Sequence, residues 1–215
     1  MKQKRLPLFP LARVLYPEER LALHIFEDRY RRMIRICQDE DIPFGVVLIR
    51  DDRLAEVGCM AEISRIEKSY EDGRSDIQVQ GTGRFRILTV NREDVFMSAD
   101  VDSVRDEVQV VDIPLRERVV ALHIKLLELA GRMPSLSMYQ DRAYLSFFVG
   151  HNAGLDLSQK QEVLEMTGEG DRLSYLASHL EKLIPLVESA EHVRKKISSN
   201  GHFQDFPPPD DDRAD

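Results

Sequence analysis

The sequence predicts an α+β protein: a small, partly closed, mainly antiparallel β-barrel with one inserted helix, followed by an α-helical bundle. Three observations point there. Short apolar runs, alternating or continuous, recur through the first half with turn residues between them. One early segment in that half switches to helical spacing. From Pro114 onward the apolar residues fall at helical intervals throughout.

Two prolines interrupt the first apolar run, Leu6-Pro7-Leu8-Phe9-Pro10-Leu11, and a second strand alternates Leu21, Leu23 and Ile25. Phe26, Tyr30, Met33, Ile34 and Cys37 then share one helical face, and Pro43 ends that helix. Phe44–Ile49 is a continuous apolar run suited to a buried strand. Cys59, Ala61 and Ile63 on one side of Asp72-Gly73, and Ile77 and Val79 on the other, predict a hairpin. Two further strands are expected around Arg84–Val90 and Phe96–Val104, with Met97, Ala99 and Val101 on one face. Gly81-x-Gly83 lacks the third glycine and the following helix of a phosphate loop, so it reads as a bulge or tight corner.

The character changes at Asp112-Ile113-Pro114, since proline suits the first turn of a helix. Val119, Leu122, Leu126, Leu127 and Ala130 predict a first helix ending at Gly131. A second is expected from Asp141 to Asn152, and a third is capped by Ser158 with Gln161 three residues on. A fourth starts near Asp171 and carries Leu173, Leu176, Leu180, Leu183 and Ile184, with a kink or break at Pro185. Residues 1–112 therefore form the barrel part and 113–200 the bundle. Residues 201–215, with Phe203 and Phe206 before three prolines and three aspartates, read as a disordered acidic tail.

Composition narrows the function. The 215 residues carry a net charge of −8, distributed as −4, 0 and −4 over those three regions, so no segment is a basic arm. Cys37 and Cys59 make neither a disulfide framework nor a metal pair, which fits a reducing, cytoplasmic setting. No apolar stretch reaches the ~18–20 residues that span a bilayer.

Taken in order, several segments resemble one family. They are Leu6–Leu11, Leu15-Tyr16-Pro17, Ile25-Phe-Glu-Asp-Arg-Tyr30, Phe44–Ile49, Val57-Gly-Cys-Met-Ala-Glu62, Gly81-Thr-Gly-Arg-Phe-Arg86, Gln161–Glu165 and Asp171-Arg172-Leu173. The succession resembles the amino-terminal, substrate-recruiting domain of Lon proteases across residues 5–190. The resemblance implies a barrel related to the PUA fold followed by a helical bundle, and a role in recognising polypeptide. The chain contains no G-x-x-x-x-G-K-[ST] phosphate loop, and it ends before any ATPase or serine–lysine protease segment. The expectation is a free-standing, non-enzymatic module that binds unfolded or degron-like segments or a dedicated protein partner, with no cofactor and no metal.

Candidate residues follow. Arg132–Tyr139 is too apolar for an indifferent loop, and Met133, Leu136, Met138 and Tyr139 are the candidate peptide-binding residues, methionine being suited to varied partners. The bland reading is that they cap the bundle core. An open barrel edge that adds an extended peptide as a strand is a second candidate. Arg31, Arg32 and Arg35 on the first helix form the alternative, an anion or RNA site, against a solvated face with local ion pairs. Glu27 and Arg84 are expected as an ion pair holding helix to strand. His24 with Glu27 could serve as an acid/base pair, but no nucleophile accompanies them.

Overall fold

A computed structural model describes residues 5–108, 110–140 and 142–200; the expected tail lies outside the described residues. The elements run β1 (Leu6–Leu11), β2 (Arg20–Ile25), α1 (Asp28–Asp39), β3 (Phe44–Arg50), β4 (Arg53–Leu54), β5 (Val57–Ser69), β6 (Ser75–Asn91), β7 (Ser98–Val104), α2 (Ile113–Leu129), α3 (Leu145–Asn152), α4 (Leu157–Glu165) and α5 (Glu169–Asn200). A 3-10 turn at Leu136–Tyr139 lies between α2 and α3.

The strands close on themselves. The order β1-β7-β6-β5-β3 returns to β1 through a parallel ladder pairing Leu8–Leu11 with Gly45–Leu48. The other ladders of this ring are antiparallel. The barrel is therefore closed by one parallel pairing, tighter than the partial closure the pattern suggests. β4 is a short hairpin return on β3, and β2 hangs from β6 outside the ring.

β6 runs unbroken through the two segments that the sequence suggests are separate strands. The reason is a bulge. Met60 faces Gly83 and Ala61 faces Gly81, so Thr82 is the extra residue. Gly81 is needed there because a Cβ would stand 2.2 Å from the Tyr16 carbonyl oxygen. The same close approach lets Gly81 N donate to Glu19 O at 2.9 Å and Gly81 O accept from Glu18 N at 2.8 Å.

α1 buries Tyr30, Met33, Ile34 and Cys37 over the barrel core of Phe9, Leu21, Leu23, Ile25, Phe44 and Val79. The helical half is not a separate core. Val14, Tyr16, Leu48 and Val57 from the barrel join Val119, Phe147, Val149, Leu164, Leu173 and Leu180 in one apolar cluster. Tyr16 stacks on Phe147 with ring centroids 5.3 Å apart and donates its hydroxyl to Lys160 O at 3.0 Å.

Four α-helices follow the barrel, with shifted boundaries. α4 is capped by Asp156 and Gln159, not Ser158 and Gln161: Gln159 N donates to Asp156 Oδ1 at 2.9 Å, and Asp156 N to Gln159 Oε1 at 3.0 Å. Gln161 instead reaches the barrel, donating to Val57 O at 2.9 Å. Asp171 lies in the first turn of α5, and that helix continues through Pro185. Pro185 is exposed, so the carbonyl that loses its N–H partner faces solvent and no break is required.

A buried ionic network joins the halves. Arg84 of β6 donates to Asp106 Oδ1 and to the carbonyls of Leu164 and Met166, each at 2.7 Å. Arg172 of α5, fully buried, donates to the same Asp106 oxygen at 2.5 Å, to Met166 O at 2.8 Å and to Glu169 Oε2 at 2.8 Å. Its Nε meets Ser146 Oγ at 2.8 Å, and its guanidinium lies 4.4 Å from the Phe147 ring centroid. Two cations thus face two carboxylates, with the remaining donors satisfied by carbonyls and a hydroxyl. The expected Glu27–Arg84 pair is corrected: Glu27 pairs with Arg29 at 2.8 Å, and Arg84 serves the barrel–bundle junction.

Candidate functional site: a groove beside an unpaired strand

β2 pairs with β6 alone, through an uninterrupted register from Arg20↔Gln80 to Ile25↔Ser75. Alternation sets its orientation. Leu21, Leu23 and Ile25 point into the core, while Arg20, Ala22 and His24 are exposed. The backbone edge away from β6 has no strand partner among the described residues, and such an edge presents unpaired N–H and C=O groups.

A groove of about 540 Å³ runs along this edge. Leu23, Ile25 and Phe26 line it together with Phe9, Pro10 and Leu11 of β1, and Ile49 and Met97 also contribute. β1 brings a strand edge of its own, because its ladder with β7 stops at Leu6 and Pro7, with Leu8 N still donating to Met97 O at 2.8 Å. Phe26, 59% exposed, stacks on His24 with centroids 5.8 Å apart.

Most charges at the rim are already matched. His24 Nδ1 is 2.5 Å from Asp76 Oδ1, and Tyr70 donates to Asp76 Oδ2 at 2.8 Å. These hydrogen bonds, that from His24 foremost, hold the Asp76 carboxyl below the usual carboxylate range. Glu27 accepts from Arg29, which also lies over the Tyr30 ring at 4.5 Å. Asp52 is different. It is exposed at the turn between β3 and β4, where Asp51 and Asp52 have φ of 50° and 59°, the signs of a type I′ turn. It has no ion-pair partner among the described residues, yet it lines the groove.

Another partly free edge, that of β5, is built differently. Beyond Ala61, where its ladder with β3 ends, β5 continues to Ser69 paired with β6 only. That half is broken by register shifts and carries Glu62, Arg65, Glu67 and Lys68, the devices that blunt an edge against pairing. β2 has neither bulge nor such a charge run.

The sequence-derived candidates fall elsewhere. Met133, Leu136 and Met138 are 99%, 67% and 41% exposed, so they do not cap the bundle core. Tyr139 does: it is 5% exposed and its Oη lies 2.9 Å from His123 Nδ1. None of the four lines the groove. Arg31 is committed to structure, donating to Asp28 and to the carbonyl of Asp72 at the β5–β6 turn. Arg32 and Arg35 are exposed on α1. His24 and Glu27 serve different partners, Asp76 and Arg29, and form no acid/base pair. Burial pushes the Cys37 and Cys59 thiols up to about 11 and about 12, which keeps both protonated. No group of His, Cys, Asp or Glu among the described residues is placed to hold a metal ion.

Comparison with known proteins bears on what this barrel is. A family model described as the ATP-dependent protease La (LON) substrate-binding domain matches residues 5–182. The chain belongs to this family. The Lon protease of Cytophaga hutchinsonii is 24% identical over 217 residues, covering 91% of this chain and 26% of that protein. The Lon protease of Escherichia coli strain K12 is 26% identical over 212 residues, covering 89% and 26%. The chain thus spans about a quarter of the length of these Lon relatives. Among solved structures, a Lon N-terminal domain protein from Xanthomonas campestris aligns with a TM-score of 0.67 and 26% identity, over 82% of this chain and 98% of that one. The N-terminal domain of a Mycobacterium avium complex Lon protease shares the fold, with a TM-score of 0.64 and 19% identity over 83% and 98%. The Lon resemblance and the α+β architecture read from the sequence both hold. No helix among the described residues is long and apolar enough to cross a membrane.

Proposed function

We propose that this protein is a non-catalytic recognition module that binds unfolded or degron-like polypeptide segments, or one dedicated protein partner, in the cytoplasm. One observation supports this reading above the others: in this member of the Lon substrate-binding family, an apolar groove lies against a strand edge that has no partner among the described residues. Burial of client side chains would supply the driving force, and backbone groups the orientation. A single such contact is weak, because ordering a flexible chain offsets much of what burial contributes. Met133, Leu136 and Met138 offer a second apolar contact, adaptable because methionine is flexible and polarizable.

The test is a titration of the purified chain into a fluorescently labelled protein that has been reduced and carboxymethylated, so that it stays unfolded. The native form of that protein and a single-stranded RNA of mixed sequence are titrated in parallel across a salt series. Saturable binding of the unfolded protein, weak salt dependence and no response to native protein or RNA are expected. Steeply salt-dependent binding to RNA alone would instead identify a nucleic-acid protein acting through the α1 arginines.

A further inference from the structure

We infer that β2 is the docking strand, and that its occupant is an extended polypeptide segment of alternating apolar residues with a lysine or arginine beside it, added to the sheet along Ala22–Ile25. This rests on the polypeptide-binding reading above and specifies its geometry.

Four observations carry it. The first is the ladder: β2 is regular over six residues and its outer edge is vacant among the described strands. The second is the contrast with β5, whose free half is bulged and charged while β2 keeps an unbroken register. The third is the apolar floor beside that edge. An added strand directs alternate side chains to the face of Leu23 and Ile25, where Phe9, Leu11 and Met97 line the groove, and the others to the face of Ala22 and His24. The small Ala22 leaves room on the second face for polar side chains. Four groove-lining residues correspond to ~13 Å of strand, so the occupant is short.

The fourth observation is charge. Glu27 and Arg29 neutralise each other and His24 is held by Asp76, which leaves Asp52 as the groove carboxylate without an ion-pair partner among the described residues. A cationic residue at the end of the apolar run answers it, in keeping with the chain's net charge of −8.

The test uses fluorescein-labelled Lys-Val-Thr-Val-Thr-Val-Lys and the full chain, read by anisotropy. Two further versions carry N-methyl groups, one on its valine amides and the other on its threonine amides. Alternate amides point to opposite edges of a strand, so one of the two should lose about tenfold in affinity and the other far less. Replacing both lysines by glutamate should weaken binding about threefold or more, and Asp52→Asn, which keeps a residue tolerant of positive φ, should abolish that difference. Phe26→Ser, at an exposed position, should weaken all versions.

Equal binding of the parent peptide and both N-methylated versions overturns strand addition, and the carboxymethylated protein then tells the two ideas apart. If it still binds, polypeptide recognition stands and this site does not. If it fails too, both fall. Unchanged lysine preference in Asp52→Asn overturns the charge assignment.

Discussion

His123 shows how one buried side chain sets a pH limit on this fold. It is fully buried on α2, with Nδ1 against Tyr139 Oη and Nε2 without a hydrogen-bond partner among the described residues. Burial pulls its pKa from 6.5 to about 4. Between those values the unfolded chain binds a proton that the folded chain does not. The stability that His123 contributes is therefore fully present above pH 6.5 and is lost as pH drops toward 4, by about 3 kcal/mol at ~1.4 kcal/mol per unit. Urea unfolding at stepped pH measures this. His123→Gln should be less stable at pH 7, yet its stability should fall less steeply from pH 6.5 to 4.5; an identical pH slope in both proteins would contradict the assignment. The sequence marks the burial of His123 only in part. Its helical spacing with Val119 and Leu126 places it near the core-facing stripe, but the aromatic partners Tyr139 and Phe148 come from beyond α2.

Among the elements, the legible ones were those with a local cause. α1 could be read because Tyr30, Met33, Ile34 and Cys37 recur at helical spacing, and the β5–β6 hairpin because Asp72-Gly73 supplies the turn, with Gly73 at φ 84°. The glycines at 81 and 83 do mark a bulge, yet they also made β6 look like two strands, since the extra Thr82 breaks the alternation. The groove was not legible. That β2 pairs on one side only, and that β1 leaves β7 after Pro7, are consequences of how distant strands meet. Likewise, the exposure of Met133 and Leu136 depends on a 3-10 turn that buries Tyr139 alone. The bulge has a testable cost. Gly81→Ala drives a Cβ into the Tyr16 carbonyl and should destabilise by about 1–3 kcal/mol. Gly83→Ala meets only the terminal methyl of Met60 at 3.0 Å and should cost much less. Equal urea midpoints for the two variants would show that the bulge accommodates both.

At the scale of the molecule, barrel and bundle are held by shared apolar packing and by the Arg84–Asp106–Arg172–Glu169 network. Such a network is costly to break on one side: Asp106→Ala leaves two guanidinium groups facing each other and should cost about 3–5 kcal/mol. Because Tyr16 and Val57 belong to the same cluster as Phe147 and Leu164, that loss should appear as one cooperative transition at a lower midpoint. Far-ultraviolet circular dichroism and tyrosine fluorescence should give coincident curves; two separated transitions would mean that the halves unfold independently. The ring of strands has a further consequence, for the newly made chain. β1 must find β3 and β7, and β7 is the last barrel strand to leave the ribosome. Leu6 and Pro7 therefore wait without their β7 partners until Ser98 and Ala99 have emerged, so closing the ring requires segments separated by nearly the whole barrel sequence to meet.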